Sequence, residues 1–251
     1  MAAVNFGGVV PFSTIDWRGK ASMVIFLRGC PLRCIYCHNY KLLEDQNYVE
    51  LEELKAEILK NVGFIDAVVL SGGEPFMQPH AIEAIAQFVK KRSLFVAVQT
   101  NGFYPALVET LLKKNLIDKI FLDIKAPLSD ETLYEKLTKV AGVAERVRNT
   151  LAACILAGVD LELVTTVFKN LVGAEEVKRI AKELEEAGAA NCSYVIQQGR
   201  PELVPGRVIA EDDEFSREEL NELAAFAHHT ADLKEVRIRT REAGEEVIYS
   251  G

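Results

Sequence analysis

The chain has 251 residues, of which 49% are hydrophobic and 26% charged, so it can bury the core of a single α/β domain over 1–251. The formal net charge of −8 disfavours a nucleic-acid partner, which is attracted to clustered basic residues. Since no run approaches the roughly 20 apolar residues that cross a bilayer and no secretion signal begins the chain, we expect a cytoplasmic protein with no membrane partner.

Short β-rich runs alternate with helical patterns from residue 23 onward, which indicates repeated βα units around a parallel sheet. We predict strands at 23–27, 66–70, 94–98, 119–123, 161–167 and 193–197, and a further strand over 235–239. Apolar residues at three- and four-residue spacing predict helices at 51–60, 79–91, 104–114, 143–157, 174–187 and 217–230. Six such units are fewer than the eight of a closed barrel, so the predicted fold is an open partial TIM barrel, (β/α)6. Its core spans about 22–200, and a C-terminal helix and strand occupy 201–251.

Residues with chemical potential follow the predicted strands, at the end where parallel βα sheets bind ligands. In chain order they are RGCPLRCIYCHN, SGGEP, QTNGF, DIKAP, TTV and QQGRPE. We therefore expect one site at the C-terminal edge of the sheet.

Three of the five cysteines lie close together after the first strand, at Cys30, Cys34 and Cys37. Their spacing lets three thiolates converge on one soft metal centre. A structural zinc ion needs a fourth ligand, and His38 is the only nearby candidate, although neighbouring residues rarely both reach one tetrahedral ion. A four-iron cubane held by three thiolates instead leaves one iron open to bind a small molecule.

The other two cysteines, Cys154 and Cys192, lie in apolar patterns where a thiol acts as a small hydrophobe, so we interpret both as core residues. An odd number of cysteines without a secretion signal does not suggest a disulfide framework.

The CxxxCxxC spacing of Cys30, Cys34 and Cys37 resembles the signature of the radical S-adenosylmethionine (radical SAM) superfamily. The resemblance implies that these cysteines are catalytic residues that hold a four-iron four-sulfur (4Fe-4S) cluster. It also implies that the open iron is chelated by the amino and carboxylate groups of S-adenosyl-L-methionine. The reduced cluster would then cleave this cofactor to methionine and a 5′-deoxyadenosyl radical.

The resemblance extends to groups that would bind the cofactor. Gly72, Gly73 and Glu74 match the family's GGE motif, which binds the methionine amino group. Tyr36 occupies a place where the family often has an aromatic residue near the adenine, although a ring that packs under the loop is an equal interpretation.

Polar residues at the ends of the third to sixth strands complete the candidate set. Thr100 and Asn101 would either hydrogen-bond the cofactor or close an Asx turn before the next glycine. Asp123 and Lys125 face the same side of their strand, where an ion pair alone would explain them.

In the glycyl radical enzyme activases, which carry a similar D-x-K stretch, the lysine lies near the cofactor carboxylate, and Lys125 matches it. Thr166, beside Thr165 in a β-branched strand, is either an ordinary sheet residue or a contact to the ribose or adenine. Gln197 stands where related activases often carry a histidine that touches the ribose.

The N-terminal FSTIDWRGKASMVIFLRGCPLRCIYCHN resembles the activating enzymes of glycyl radical enzymes, such as pyruvate formate-lyase activase, where FSTxDGPG leads into the first strand. The likeness extends from Phe12 to about Arg241, and YVIQQGRPE and VRIRTREAGEE are most similar to the anaerobic ribonucleoside-triphosphate reductase activating proteins. The resemblance implies abstraction of hydrogen from a backbone glycine of a partner glycyl radical enzyme, which could be an anaerobic ribonucleotide reductase. It also implies a one-electron donor such as flavodoxin or ferredoxin.

Two positions depart from the activase pattern. Gln99 replaces the aspartate of pyruvate formate-lyase activase, which weakens any monovalent-cation site there. Val164 replaces an arginine, which removes a salt bridge to the cofactor carboxylate and leaves Lys125 to provide the charge.

Two alternatives remain open from the sequence. One keeps the radical chemistry but gives it a small substrate, such as a nucleobase or pterin precursor. The other is a non-enzymatic zinc-binding module held by the three clustered cysteines and His38. We interpret His80, His228 and His229 as surface residues, and the acidic stretch 210–222 as a loop and the first turn of a helix without chemistry.

Overall fold

The computed structural model describes residues 3–204, 206 and 209–251, and its strands form one mixed sheet. The strands are β1 (Ala3–Ser13), β2 (Ser22–Leu27), β3 (Tyr48–Glu50), β4 (Ala67–Gly72), β5 (Phe95–Thr100), β6 (Lys119–Asp123), β7 (Asp160–Val167), β8 (Ser193–Gln198), β9 (Glu235–Thr240) and β10 (Gly244–Ser250). The helices are α1 (Leu51–Asn61), α2 (Pro79–Lys90), α3 (Pro105–Lys113), α4 (Glu131–Thr138), α5 (Val143–Ala157), α6 (Ala174–Glu186) and α7 (Arg217–Thr230).

The described strands lie in the order β10-β9-β8-β7-β6-β5-β4-β2-β1-β3. All neighbours from β2 to β9 in this order pair in parallel, whereas β1, β3 and β10 are antiparallel additions at the two ends. The sheet therefore has two edges and is open, as predicted. Because the consecutive strands are parallel, their C-terminal ends meet at one edge of the sheet.

The predicted helices are all present, and the bounds of α5 and α7 coincide with the prediction. Helix α7 begins at a capping box, in which the Ser216 hydroxyl accepts from the Glu219 N–H and the Glu219 carboxylate accepts from the Ser216 N–H. The seventh parallel strand is confirmed as β9. Four further elements, β1, β3, α4 and β10, lie outside the prediction.

Side chains along each parallel strand alternate between two faces of the sheet. One face packs against the helices and forms the larger apolar core. The opposite face, which we call the inner face, carries a smaller apolar cluster of Trp17, Val24, Ala67, Val69, Ala97 and Phe121. Trp17 packs edge-on against Phe95 and Phe121, with ring centroids 6.2 and 6.4 Å apart.

The inner face becomes charged toward β9 and β10. Glu162 of β7, only 1% exposed, lies 3.4 Å from the Lys119 ammonium and 2.8 Å from a guanidinium nitrogen of Arg239. Arg237 also contacts Glu162, at 3.4 Å, and contacts Glu245 of β10 at 2.8 Å. Glu162 and Glu245 are thus both paired with cations, which offsets the cost of removing their charges from water.

The residues given no chemistry are placed mostly as predicted. Cys154 is fully buried, whereas Cys192 is half-buried at the margin of the core. His80 and His229 are exposed, but His228 departs from the surface interpretation because its ring stacks on Tyr249 at 4.3 Å. None of the helices in the described residues combines the length and apolar composition that a membrane span requires.

Candidate active site

A cavity of about 260 Å³ opens where the parallel strands end. The loop that follows β2, residues 28–39, forms one wall, and we call it the cysteine loop. The ends of β4 to β9 supply the rest of the lining. The sequence-predicted residues that line the cavity are Cys30, Cys34, Tyr36, Cys37, Gly72, Gly73, Thr100, Asn101, Asp123, Lys125, Thr166 and Gln197. Of the predicted set, Glu74 alone does not line it.

Backbone contacts fix the cysteine loop. The N–H groups of Arg33 and Ile35 donate to the carbonyls of Thr138 and Leu137 at the end of α4, each at 2.9 Å. Cys30 Sγ accepts from the Leu32 N–H and from the Asn101 side chain, both at 3.4 Å. Elements distant in sequence therefore hold the loop over the cavity.

The paired glycines allow β4 to approach the cysteine loop. A Cβ on Gly72 would lie 2.1 Å from the Leu27 carbonyl oxygen, and one on Gly73 would lie 2.2 Å from that of Gly29. The Gly73 N–H donates to the Leu27 carbonyl and the Glu74 N–H donates to the Gly29 carbonyl, both at 2.8 Å. The glycines thus bring two strand ends together, and both also line the cavity.

The carboxylate of Glu74 is fully buried beneath the cavity. Its oxygens accept from the Phe76 N–H at 3.0 Å, the Thr100 hydroxyl at 2.9 Å and the Asn101 N–H at 2.8 Å. Burial raises the pKa of Glu74 to about 7, although these three hydrogen bonds oppose the shift. The Glu74 side chain therefore braces the turn that presents Thr100 and Asn101.

Thr100 and Asn101 form the turn that the sequence left open as an alternative. The Phe103 N–H donates to Asn101 Oδ1 at 3.0 Å, and the Gly102 N–H donates to Thr100 Oγ1 at 3.1 Å. Both residues also line the cavity, so the turn positions them there.

The buried Lys125 and the half-buried Asp123 form an ion pair at the cavity wall. Burial alone would lower the pKa of Lys125, but the charges of Asp123 and Cys34 and the Tyr36 hydroxyl raise it well above its usual value. Asp123 Oδ1 is buried and has no hydrogen-bond partner among the residues that the structure describes. The ion pair with Asp123 therefore favours the charged form of Lys125.

The Tyr36 ring packs beneath the loop to which it belongs, which is one of the two interpretations that the sequence left open. Its ring lies 5.6 Å from that of Phe168, and the Lys125 ammonium lies 5.5 Å from the Tyr36 ring centroid. The ring is 5% exposed but still contributes to the cavity lining.

The cavity is also lined by five residues that the sequence analysis did not consider, Asn39, Leu43, Ser71, Phe121 and Arg239. It is lined too by His38, the candidate zinc ligand, and by Gln99 and Val164, the two departures from the activase pattern. The Asn39 side chain donates to the Gly72 carbonyl at 2.9 Å, which joins the cysteine loop to β4. Ser71 donates to Gln99 Oε1 at 2.6 Å. Arg239 donates to Gln197 Oε1 at 3.1 Å, and Arg237 and Arg239 alternate with Val236 and Ile238, a pattern that indicates a polar inner face.

The donor set of three clustered cysteines, all lining the cavity, is the set that an iron-sulfur cluster with one open iron requires. Among the described residues, no three His, Cys, Asp or Glu side chains lie close enough together to hold one metal ion. A cubane binds each thiolate through a different iron, so its ligands need not converge on one point. Burial raises the pKa of the Cys30 thiol to about 12 and also raises the pKa values of Cys34 and Cys37, so a cationic metal centre is needed to make them thiolates.

Comparisons with known proteins agree with the family that the cysteine spacing resembles. Residues 24–184 match the family model described as the Radical SAM superfamily. A Methanocaldococcus jannaschii protein described as a candidate glycyl-radical enzyme activating enzyme is 35% identical over 241 residues, which cover 92% of this chain and 94% of its own. The pyruvate formate-lyase-activating enzyme of Clostridium pasteurianum is 35% identical over 108 residues, which cover 41% of this chain and 44% of its own.

Solved structures share the fold at low sequence identity. A radical SAM methyltransferase from Sphaerobacter thermophilus superposes with a TM-score of 0.71 at 15% identity, covering 89% of this chain and 67% of that one. Streptococcus suis SuiB bound to the precursor peptide SuiA superposes with a TM-score of 0.69 at 16% identity, covering 87% of this chain and 48% of that one.

Proposed function

The chain belongs to the radical SAM superfamily, whose cofactors are a 4Fe-4S cluster and S-adenosylmethionine, and we propose that it is a glycyl radical enzyme activating enzyme. In this proposal it cleaves S-adenosylmethionine reductively and removes an α-hydrogen from one backbone glycine of a partner protein. The match to the Methanocaldococcus jannaschii protein carries the proposal, because it spans nearly the whole of both chains.

The residues of the cavity have distinct roles in this proposal. Cys30, Cys34 and Cys37 hold the cluster, which supplies the electron that breaks the carbon-sulfur bond of the bound cofactor. Lys125 donates to the cofactor carboxylate from the ammonium N–H groups that Asp123 leaves free, since Val164 offers no cation at the neighbouring strand.

The remaining polar residues hold the cofactor in place. Thr100 and Asn101 offer hydrogen bonds from a turn that Glu74 fixes, and Gly72 and Gly73 expose backbone groups at the end of β4. Tyr36 and Thr166 line the cavity on the side that we assign to the adenine and ribose. Because the strands fix these groups before the cofactor binds, little ordering is needed on binding.

The partner is a glycyl radical enzyme, for which an anaerobic ribonucleotide reductase is the first candidate. The electron donor is a low-potential one-electron carrier such as flavodoxin or ferredoxin. Both assignments come from the resemblance of the motifs around the cavity.

Anaerobic reconstitution with iron and sulfide, followed by dithionite and S-adenosylmethionine, tests the reaction class. We expect 5′-deoxyadenosine from the wild type and none from Cys34→Ala, because two thiolates cannot hold the cluster. Cys192→Ala is the matched control, since this half-buried thiol does not line the cavity.

Mixing the reconstituted protein with candidate glycyl radical enzymes tests the target. We expect the doublet of a glycyl radical in electron paramagnetic resonance with one of them. If 5′-deoxyadenosine forms but its new hydrogen comes from a small metabolite and no partner gives the doublet, the activase assignment is wrong.

A further inference from the structure

Three polar side chains lie side by side on the cavity wall at the ends of β7, β8 and β9. Thr166 pairs in register with Gln197, and Gln197 pairs in register with Arg239. All three line the cavity. Arg239 belongs to the C-terminal hairpin of β9 and β10, and it has no role in the function proposed above.

The position and charge of Arg239 are fixed by two carboxylates. Its Nη2 donates to Glu162 at 2.8 Å and to Glu245 at 2.5 Å, and its Nε donates to Glu245 at 3.1 Å. Arg237 and Lys119 share these carboxylates, but they also pair with Glu235 and Asp160, so the charge of the group is compensated and a further anion gains little from binding there. A neutral hydrogen-bond acceptor is the ligand that suits this group.

Arg239 also fixes the direction in which Gln197 presents its amide. Arg239 Nη1 donates to Gln197 Oε1 at 3.1 Å, and a guanidinium can only donate, so the amide oxygen must face it. The amide nitrogen of Gln197 is thereby turned toward Thr166, with which it makes only a long contact of 3.5 Å.

Hydrogen-bond donors therefore remain at this wall. Among the described residues, Gln197 Oε1 is the only acceptor within reach of Arg239 Nη1, which leaves one of the two N–H groups of that nitrogen without a partner. An N–H of Gln197 is likewise held by no short hydrogen bond. Arg239 Nη1 and the Gln197 amide nitrogen each offer an N–H, and the charge of the guanidinium is compensated. A neutral acceptor such as a carbonyl oxygen suits this pair of donors.

A glycine has no side chain, so the only hydrogen-bonding groups of the target residue itself are its backbone N–H and its carbonyl. We propose, resting on the activase function above, that Arg239 and Gln197 bind a backbone carbonyl oxygen of the peptide segment that carries the target glycine. The C-terminal hairpin is then part of the substrate site, and Glu162 and Glu245 are its positioning residues.

The test measures the transfer of deuterium from peptide to cofactor. The probe is a short capped alanine peptide with one central glycine deuterated at Cα, and the product is deuterated 5′-deoxyadenosine. Two further probes replace the carbonyl oxygen of the glycine, or of the residue before it, by sulfur, which is a weaker hydrogen-bond acceptor. Each is assayed with the reconstituted wild type, Arg239→Lys and Gln197→Glu.

In each of these two variants the unchanged residue of the pair, Gln197 or Arg239, keeps a hydrogen-bonding partner. A lysine at position 239 keeps the positive charge between Glu162 and Glu245 but loses the planar fork. A glutamate at position 197 still accepts from Arg239 but has no N–H to offer the cavity. Arg241→Lys is the matched control, because Arg241 pairs with Glu202 outside the cavity.

We expect one sulfur substitution to lower kcat/KM of the wild type and of the control by about tenfold. In Arg239→Lys and Gln197→Glu the all-oxygen peptide should lose several-fold in kcat/KM, and the sulfur substitution should then have an effect of only about threefold, because one of the two donors to the carbonyl remains. Such coupling shows that the carbonyl and these side chains interact directly.

The failing outcomes separate the two proposals. If the wild type transfers deuterium from the peptide but the variants keep its full sensitivity to sulfur, Arg239 and Gln197 do not bind the carbonyl and the activase function stands. The same conclusion follows if the loss in the variants appears entirely in the KM for S-adenosylmethionine. If the wild type forms 5′-deoxyadenosine that never carries peptide deuterium and gives no glycyl radical with any partner, the activase function fails and this inference fails with it.

Discussion

The backbone N–H of Asn101 donates to Oε2 of Glu74 at 2.8 Å, which joins the turn after β5 to the turn after β4. The other carboxylate oxygen accepts from Thr100 and Phe76. Both oxygens are thus used within the protein, and Glu74 fixes the floor of the cavity without lining it.

Replacing Glu74 by glutamine should change stability in a pH-dependent way. The amide would place its NH2 group against the Asn101 N–H or against the donors on the other oxygen, so we expect a loss of about 1–3 kcal/mol at pH 5. Burial raises the pKa of Glu74 to about 7, above its usual value of 4.5. The stability linked to this raised pKa is complete below the unfolded value and is lost as the pH rises through about 7.

The difference in free energy of unfolding between wild type and Glu74→Gln should therefore shrink by about 2 kcal/mol between pH 5 and pH 8. Denaturant unfolding at a series of pH values measures it. Glu109→Gln, which alters an exposed ion pair with Lys113, should show no such trend. A constant difference across this range would mean that Glu74 is ionised throughout in the folded protein.

Replacing Lys125 by methionine should weaken cofactor binding. The side chain is 6% exposed and its ammonium pairs with Asp123, so methionine keeps the packing but removes the charge. We expect the Kd for S-adenosylmethionine to rise by tenfold or more, because a charge-assisted hydrogen bond contributes about 1.5–3 kcal/mol. Equilibrium dialysis under anaerobic conditions gives the constant, and Lys90→Met, which breaks the ion pair with Asp118 away from the cavity, is the control.

The pKa of Lys125 adds a second expectation to that measurement. Because this pKa lies well above its usual value, Lys125 should not titrate between pH 7 and pH 9. The ratio of the Kd of Lys125→Met to the Kd of the wild type should therefore stay constant over this pH range. An unchanged Kd in Lys125→Met would show that the cofactor carboxylate binds elsewhere.

The sequence predicted the parallel strands because runs such as DAVVL and LFVAV contain β-branched residues and are apolar on both faces, as buried strands are. It did not predict β1, where Gly7, Gly8 and Pro11 gave turn signals inside a strand of eleven residues. These residues are tolerated because β1 is antiparallel and lies near the edge of the sheet.

The motifs identified the cavity but not the use of each side chain. SGGEP marked Glu74 as a site residue, whereas only the folded contacts show that its oxygens are occupied by Thr100, Asn101 and Phe76. Arg239 was missed for a different reason. Its alternation with apolar neighbours was visible, but its place beside Gln197 depends on the pairing of β9 with β8, which spacing along the chain does not specify.

Replacing Gln99 by aspartate should create a dependence on monovalent cations. Gln99 and Asp123 line the same cavity from neighbouring strands, and Gln99 Oε1 accepts from Ser71 at 2.6 Å. With a neutral amide there, cofactor cleavage by the wild type should respond little to potassium. A second carboxylate would repel Asp123, so Gln99→Asp should gain several-fold in rate when potassium chloride replaces choline chloride at equal ionic strength. A similar gain in the wild type would show that the neutral amide of Gln99 does not weaken the cation site.

Trp17 closes the inner face at the amino-terminal ends of the strands, below the cavity. It is 6% exposed and packs edge-on against Phe95 and Phe121, and Phe121 lines the cavity above it. Trp17→Ala should lower the free energy of unfolding by about 3–5 kcal/mol, because it removes a large buried ring and leaves a void. Trp17→Phe, which keeps an aromatic ring, should lose less than half of that.

The same substitution should affect the site through Phe121. With its support removed, the Phe121 ring can move into the space below, so the KM for S-adenosylmethionine should rise several-fold in Trp17→Ala under conditions where the protein is still folded. Denaturant unfolding and initial rates of 5′-deoxyadenosine formation measure the two effects. Leu156→Ala on the outer surface of α5, where the side chain is 86% exposed, should change neither. A destabilised Trp17→Ala with an unchanged KM would mean that the inner-face packing supports the fold but not the cavity.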